Sequence, residues 1–297
     1  MSATRVNPFP LPDLLSALEQ LQQRQETATQ QLATGSTINA PSDNPAGAAE
    51  LVLINAASKQ ADTFQQSVGS VNGQLSTADA TLNSVVTVLQ RAISLGTEGA
   101  NGTLSDSDRA DVAAELSGIQ AQLISLANTS YQGQYIFAGT ANLQPFVADP
   151  ASASGVTYQG NTDVNAVTIG NGYQLQVNLP GSQIFSGAGG DVFQSLQDLI
   201  TALNTNIGIG AAVTEVGNAY SYVNAQRVFY GNGISQATAQ STYLNTESLD
   251  LSQQQNTVSA ADLASVASQV ESDQTSSTAA VEAISKLPQT SLFDYLK

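Results

Sequence analysis

A strict heptad pattern of apolar residues constrains this chain more than any other feature. Between Ile54 and Ala92, apolar residues recur in alternating steps of three and four without a miss. A run of about five heptads specifies a coiled-coil seam, and a helix of about 50 residues is roughly 75 Å long. The pattern therefore predicts a rod of long helices. The seam residues are Ile54, Ala57, Ala61, Phe64, Val68, Val71, Leu75, Ala78, Leu82, Val85, Leu89 and Ala92.

The two ends of the chain carry the same spacing in a weaker form. The N-terminal stripe closes at Gly35, a residue type that often ends helices, and the C-terminal stripe has Asp273 in its seam. Because weak stripes need partners, we expect the ends to pack on each other and on neighbouring copies, and to order on assembly. The stripes comprise Leu11, Leu14, Leu18, Leu21, Gln25, Ala28 and Leu32, and then Leu263, Val266, Val270, Ser277, Ala280, Ile284 and Leu287.

The middle of the chain changes character. Ser105, with Asp108 three residues on, can cap a helix that returns antiparallel to the first rod helix. From Tyr135 the sequence is aromatic and β-branched, and Asn171-Gly172 joins two strand-like runs as a hairpin that suits a primed turn. We therefore expect a small β-rich insertion over residues 141–185, after which amphipathic helices resume.

A compact polar segment, "QLATGSTINAPSDNPAGAAEL", separates the first helix from the long heptad helix. Gly35 can end one helix, and residues 39–44 can bind the backbone through side-chain hydrogen bonds. Pro45 can occupy the first turn of the next helix. The segment thus predicts a rigid corner, although an ordinary interhelical loop would use the same residues.

The composition removes most catalytic chemistry. The chain has no cysteine and no histidine, which excludes disulfides, thiolate and imidazole metal ligands and the serine–histidine triad. Carboxylates remain, but they are spread singly along helices, where solvated or capping roles are usual. The sequence predicts a protein that is not an enzyme and has neither cofactor nor metal.

The charge pattern argues against nucleic acid and membrane partners. The net charge is −16, and the eight basic residues form no cluster for phosphates or an anionic surface. No apolar window is long enough to span a bilayer, and the N-terminus lacks the apolar core of a cleaved secretory signal. Pro8, Pro10 and Pro12 predict extended backbone before Asp13. Charged residues make up only 11%, so neutral helix faces can be buried against several neighbours, as a polymer subunit requires. The same composition is equally compatible with a Ser/Thr-rich secreted protein.

Several motifs resemble the flagellin superfamily of bacteria. Thr34-Gly35 through Asn39, followed by Pro41-Ser42-Asp43-Asn44-Pro45, is similar to the N-terminal signature of the superfamily, in which Asn44 is commonly a second aspartate. "LQRAISLGTEGANGTLSDSDR" is similar to a region shared with flagellins. "YQGQYIFAGT", "SQIF", "DVFQSLQDLI" and the terminal "SLFDYLK" resemble the hook–filament junction branch more than filament flagellins.

The resemblance implies a mainly α protein. Long antiparallel coiled-coil helices from both chain ends would form a rod, with a small β-rich domain inserted in the middle. The implied divisions are an N-terminal inner helix over 1–40, a helical rod with a hairpin over 41–140, the β-rich insertion over 141–188, the returning rod over 189–260 and a C-terminal inner helix over 261–297.

The resemblance also implies a function and partners. The chain would be an extracellular structural adaptor that joins the hook, through the preceding hook-associated protein, to the flagellin filament. It would assemble as a ring of identical subunits after type III export, with a dedicated chaperone bound beforehand to its C-terminal helix. Filament flagellin itself is the near alternative, and a soluble chemoreceptor-like signalling coiled coil is a more distant one.

The residues expected to matter are therefore contact residues. The predicted assembly interface consists of Leu14, Leu18, Leu21, Leu32, Leu263, Val270, Ile284 and Leu287, whose alternative role is packing between the two chain ends. The resemblance further assigns an interdomain spoke, formed by Gly35, Asn39, Pro41, Ser42, Asp43, Asn44 and Pro45. A carbohydrate-binding role of the β-rich insertion, with Tyr158 and Tyr173 stacking on sugars, is a further alternative.

Overall fold

Long helices dominate the computed structural model, which describes residues 11–286. The prediction of a mainly α protein with long helices from both ends and a small antiparallel β region in the middle is confirmed. The helices are α1 (Leu11–Thr34), α2 (Pro45–Gly99), α3 (Asp106–Ala127), α4 (Gly181–Phe185), α5 (Val192–Thr205), α6 (Ile209–Ser259) and α7 (Leu263–Lys286).

The chain divides into two compact units. The terminal unit contains the residues up to Lys59 and those from Ser248 onward, and the central unit contains Gln60–Glu247. Helices α2 and α6 contribute residues to both units. Each unit is described separately below.

The predicted heptad seam is the core of the central unit. From Val68 to Ala92 every seam position of α2 is buried, and Leu75, Leu82 and Leu89 are completely inaccessible. Helix α6 contacts this seam and is tied to α2 by polar bonds, among them a two-point pairing of Arg227 with Asp79 at 3.0 and 3.2 Å. The spacing read from the sequence thus identifies the buried face correctly.

Helix α3 begins as the sequence predicts. The Ser105 hydroxyl accepts the amide hydrogen of Asp108 at 3.2 Å, and the Asp108 carboxylate accepts the amide hydrogen of Ser105 at 3.1 Å. This reciprocal capping satisfies two amide groups that the first helical turn would leave unpaired. The Ser105 hydroxyl also donates to the Asp108 carboxylate, which lowers the pKa of that group. Helix α3 then packs on α5.

The β structure is more extensive than the insertion expected from the sequence. Within residues 11–286 four two-stranded antiparallel sheets form in chain order, and the first and last of them lie outside residues 141–185. Phe137, Phe146, Phe185 and Phe193 form a buried aromatic cluster, in which the centroids of contacting rings are 5.2–6.0 Å apart. The strands are β1 (Ser130–Tyr131), β2 (Gln134–Tyr135), β3 (Phe146–Ala148), β4 (Val156–Tyr158), β5 (Ala166–Gly170), β6 (Tyr173–Gln176), β7 (Ser186–Gly187) and β8 (Gly190–Asp191).

The hairpin predicted at Asn171-Gly172 forms, but its turn is not of a primed type. Strands β5 and β6 pair antiparallel, and Gly172 has a φ of 72°. Asn171 does not have a positive φ, whereas both primed types require one at the first central residue. A register shift between Thr168 and Gly170 accommodates the different turn. A primed-type pair of left-handed residues occurs instead at Gln132 and Gly133, between β1 and β2.

The start of α1 also differs from the prediction. Residues before Asp13 were expected to be extended, yet α1 begins at Leu11 and includes Pro12. A proline is tolerated in the first turn of a helix because the amide hydrogens of that turn have no intrahelical partner, so that none is lost. The predicted extended backbone at Pro8 and Pro10 lies outside the described residues.

Candidate functional site

The two end stripes come together in the terminal unit, where α1 packs on α7. The predicted interface residues of α1, namely Leu14, Leu18, Leu21 and Leu32, are all half-buried. On α7, Val270 and Ile284 are half-buried, whereas Leu263 is 50% exposed. Leu287 lies outside the described residues. Each of these helices has a single partner helix, which covers only part of its apolar stripe. Most stripe residues therefore stay partly exposed.

Asp273 is the most buried polar residue of this helix pair. Its side chain lies in the seam of α7 and is only 3% exposed. The oxygen Oδ1 accepts a hydrogen bond from the Gln269 amide at 2.9 Å, while Oδ2 has no hydrogen-bond partner. A buried carboxylate oxygen without a partner opposes burial, so Asp273 weakens the pairing of α1 with α7.

The polar segment after α1 forms a hydrogen-bonded corner. Gly35 has a φ of 68° and donates its amide hydrogen to the Gln31 carbonyl at 2.8 Å, which ends the helix in a left-handed conformation. The Asp43 carboxylate then accepts the amide hydrogens of Asn39 at 2.9 Å and Ala40 at 2.8 Å. These contacts hold the backbone from both sides of Pro41 and Ser42, whose own side chains are exposed.

Hydrogen bonds from the amides of Ala40 and Asn39 hold the pKa of the Asp43 carboxyl below its ordinary value of 3.8. The cause is that both amides favour the ionised form of the carboxyl. Asp43 is therefore a charged anchor of the corner at neutral pH.

Asn44 and Pro45 start the long helix α2 as the sequence predicts. The Asn44 side-chain oxygen accepts the amide hydrogen of Gly47 at 3.1 Å, and the Asn44 carbonyl accepts that of Ala48 at 2.8 Å. Pro45 is the first helical residue, where a missing amide hydrogen costs nothing. Asparagine at the position where the superfamily commonly has aspartate thus still caps the helix.

A second connection, between α6 and α7, is bonded to this corner. Ser36 and Ala260 form an antiparallel bridge, in which Thr37 donates its amide hydrogen to the Ser259 carbonyl at 2.7 Å. Ala261 donates to the Gly35 carbonyl at 3.0 Å. The corner is therefore built from two chain segments that are far apart in sequence.

Sequence reasoning did not assign residues 259–262 to the corner. Asp262 caps α7, since its carboxylate accepts the amide hydrogens of Ala264 at 3.1 Å and Ser265 at 3.2 Å. An aspartate just before the apolar run at Leu263 was a readable sign of a helix start. The pairing of the two segments had no comparable sign in the sequence.

The surface of the described residues suits protein contacts rather than chemistry. Leu15, Leu53, Leu249, Leu263 and Val281 are large apolar residues of the terminal unit that are about half exposed or more. Within residues 11–286 no group of acidic side chains is arranged to hold a metal ion. In the same range no helix is long and apolar enough to cross a membrane.

Comparison with known proteins shows what this chain is similar to. Residues 13–142 match the family described as bacterial flagellin N-terminal helical region. Flagellar hook-associated protein 3 of Salmonella typhimurium is 33% identical over 159 residues, which cover 53% of this chain and 49% of the relative. The Escherichia coli protein of the same name is 28% identical, covering 64% of this chain and 63% of the relative. The chain thus spans about half to less than two thirds of the length of these relatives.

Two further comparisons bear on the fold. Flagellin of Listeria monocytogenes is 27% identical and covers 76% of this chain and 82% of the relative. The crystal structure of Bacillus cereus FlgL superposes with a TM-score of 0.60 at 22% identity, covering 69% of this chain and 99% of that chain. At this identity the structural likeness establishes the fold.

Residues 13–142 carry the bacterial flagellin N-terminal helical region, and the chain is similar in sequence to flagellar hook-associated protein 3 and to flagellin. Its fold is like that of Bacillus cereus FlgL, and its sequence is similar to that of hook-associated protein 3. The relatives are flagellar structural proteins and not enzymes, which confirms the prediction of a non-enzymatic protein.

Proposed function

We propose that this chain is a structural adaptor of the bacterial flagellum that joins the hook, through the preceding hook-associated protein, to the flagellin filament. The observation that carries the proposal is the half-open seam between α1 and α7, together with the exposed Leu263 and Leu15. Such a seam gains stability when further helices cover it. The hook-associated name of two relatives supports the choice of location.

The proposed mechanism is geometric and makes or breaks no covalent bond. Identical subunits meet through two different surfaces, so that contacts between copies generate a ring or helix. The remaining apolar area of α1 and α7 is covered by neighbouring copies, by the preceding hook-associated protein and by flagellin. The scarcity of charge, 11% of residues, supports such contacts because few charged groups have to be desolvated.

Export is the second part of the proposal. The chain reaches the cell exterior by the flagellar type III route, and a dedicated chaperone covers α7 beforehand. Two features support this assignment. The stripe of α7 is half-exposed even when paired with α1, and Asp273 weakens that pairing, so α7 is available to another protein.

The corner at Gly35–Pro45 is proposed to act as a spoke that fixes the angle between the terminal helix pair and the long helices that follow, and so transmits torque. Its double hydrogen bonding to Asp43 and its cap at Asn44 support rigidity. Asp43→Ala with Asn44→Ala should cause filament loss under viscous load. The matched control is Asp111→Ala with Asn245→Ala, two exposed residues of the central unit. Normal swimming of the first double variant in viscous medium would contradict the spoke role.

The decisive experiment is electron microscopy of cells that lack this gene, with an assay for flagellin in the medium. An adaptor predicts bare hooks and shed flagellin monomers. Re-expression of Leu263→Glu should not restore filaments, whereas Leu143→Glu should, because Leu143 is 61% exposed in the central unit. An acidic residue is favourable in the first turn of α7, so failure of Leu263→Glu reports a lost contact and not a lost helix.

Filament flagellin is the second candidate, favoured by the long match to Listeria flagellin. It predicts bare hooks without shed flagellin in the same experiment. Intact filaments would contradict both candidates and return attention to a signalling coiled coil. Against that last alternative, mid-chain residues 130–191 carry strands and sheets and not the helical tip of a signalling hairpin.

A further inference from the structure

A small polar cavity of about 190 Å³ lies in the central unit, between α2 and the β1–β2 hairpin. Its volume is about six times the ~30 Å³ that one water molecule occupies in the liquid. It therefore has room for a single small organic molecule. Neither the proposed adaptor role nor the corner involves this cavity.

The walls of the cavity are held by specific contacts. Asn178 is 2% exposed, accepts the amide hydrogen of Asn165 at 2.6 Å, and donates to the Gly139 carbonyl at 3.2 Å. On the other side, Tyr131 reaches α2 at Gly73, where a side chain of any other residue would collide with the tyrosine hydroxyl. The hairpin is thereby fixed against the helix, and the cavity between them is preformed.

Three glutamine side chains that face this space, half-buried Gln74 and exposed Gln132 and Gln134, are not used by the fold. Within the described part of the chain, the side-chain amides of Gln74, Gln132 and Gln134 have no intramolecular hydrogen bond, and they line the cavity. Gln132 moreover has a φ of 50°, a conformation that non-glycine residues rarely adopt. Each amide offers both a donor and an acceptor. No charged side chain lines the cavity.

We propose that this cavity binds a neutral polyhydroxyl ligand of monosaccharide size. Hydroxyl groups both donate and accept hydrogen bonds, as do the three free glutamine amides, and an uncharged lining gives no advantage to an ion. Tyr131 and Tyr135 also line the cavity and provide aromatic surface for the apolar face of a sugar ring. The ligand is either a free sugar or the terminal residue of a glycan chain.

The site differs from the two tyrosines that the sequence suggested for carbohydrate. The Tyr158 hydroxyl donates to the carbonyls of Phe137 at 3.0 Å and Asn161 at 2.8 Å, and its ring packs on Phe146. The Tyr173 hydroxyl bonds the Gln236 side chain at 2.9 Å. Both side chains have structural roles, whereas the glutamines of the cavity have none.

Saturation-transfer NMR and isothermal titration calorimetry on the full chain test the proposal, with glucose and N-acetylglucosamine as probes. We expect one of them to bind with a dissociation constant of about 1 mM, the range of a single small ligand with few contacts. Gln134→Ala on the exposed hairpin and Gln74→Ala on α2 should each weaken binding about tenfold. Gln66→Ala, an exposed glutamine of the same helix outside the cavity, should bind like the parent chain.

The corresponding tetrasaccharides distinguish the two sources. A tetrasaccharide that binds at least as well as its monomer identifies the end of a glycan chain, and binding of the monomer alone identifies a free sugar. The proposal is overturned if neither sugar binds even at concentrations well above about 1 mM. It is equally overturned if the two cavity variants bind like Gln66→Ala, since the cavity then holds only water. An unchanged far-ultraviolet circular dichroism spectrum of Gln134→Ala shows that the variant is folded, so that a lower affinity reports a lost contact with the sugar.

Discussion

The terminal and central units use the same three-and-four spacing and bury it to different extents. In the central unit Leu75, Leu82 and Leu89 are completely inaccessible, because α6, α3, α5 and the strands add apolar side chains to one continuous core. In the terminal unit the equivalent leucines of α1 have α7 as a partner and remain half-buried. The spacing thus selects the face that is buried, and the number of packed layers decides how deeply.

The polar residues follow the same division. The described seam of the terminal unit contains Gln25, Asp273 and Ser277, whereas that of the central unit is apolar from Val68 to Ala92. Full burial of a leucine side chain contributes about 1.5–3 kcal/mol, and half burial correspondingly less. The central unit is therefore expected to be stable in the isolated chain, and the terminal unit to depend on further contacts.

The largest expected effect comes from a leucine of the central seam. Leu89→Ala should lower the free energy of unfolding by about 3–5 kcal/mol, because it removes a buried side chain and leaves a cavity. Urea denaturation followed by near-ultraviolet circular dichroism measures this loss. Leu18→Ala on α1 should cost about 1 kcal/mol, measured by hydrogen exchange of α1. Equal losses would show that the two seams are buried alike.

The opposite sign is expected at Asp273. Asp273→Leu should stabilise the pairing of α1 with α7 by about 1–3 kcal/mol, since a buried carboxylate with an unpaired oxygen is replaced by an apolar group. Slower hydrogen exchange of α7 would report the gain. Asp273→Asn is the intermediate variant, because it removes the charge but keeps the polar atoms. Faster exchange in Asp273→Leu would mean that the carboxylate stabilises the pair.

Two glycines provide a matched pair with opposite expected signs. Gly35→Ala should destabilise the corner by about 1–2 kcal/mol, because a residue with a side chain is strained at a φ of 68°. Gly69→Ala should stabilise the central unit by about 0.5–1 kcal/mol, since Gly69 lies within α2 with open space around its α-carbon. Thermal unfolding of each unit measures both changes. Stabilisation by Gly35→Ala would contradict the left-handed helix end.

The smallest expected effect is a dependence of the stability of the corner on pH. The folded-state pKa of Asp43 is below its ordinary 3.8. The stabilisation of the corner by Asp43 is therefore fully present above pH 3.8 and is lost as the pH falls through the lowered pKa. Asp43→Asn should flatten this dependence in the terminal unit. Asp108, whose pKa is also lowered, should continue to cause acid destabilisation of the central unit in that variant. If acid destabilises the corner equally in Asp43→Asn, Asp43 is not the cause of that destabilisation.

Local patterns in the sequence predicted the seams, the cap at Ser105, the helix end at Gly35 and the helix start at Pro45, because each depends on residues within one or two turns. The second segment of the corner was missed, since the bond from Thr37 to Ser259 joins residues 222 positions apart. The turn at Asn171 was misassigned for a different and local reason. A bulge at Thr168 and Gly170 relieved the twist that usually demands a primed turn.

The bridge between Ser36 and Ala260 has a consequence for the order of folding. Closing a loop of more than 200 residues in an unfolded chain is slow and entropically costly. The central unit shortens that loop severalfold once α2 and α6 pair within it, as the bond between Gln65 and Ser241 at 2.8 Å illustrates. The corner therefore closes late in folding, and only in a chain that extends past Ser259, so its closure distinguishes complete subunits from truncated ones.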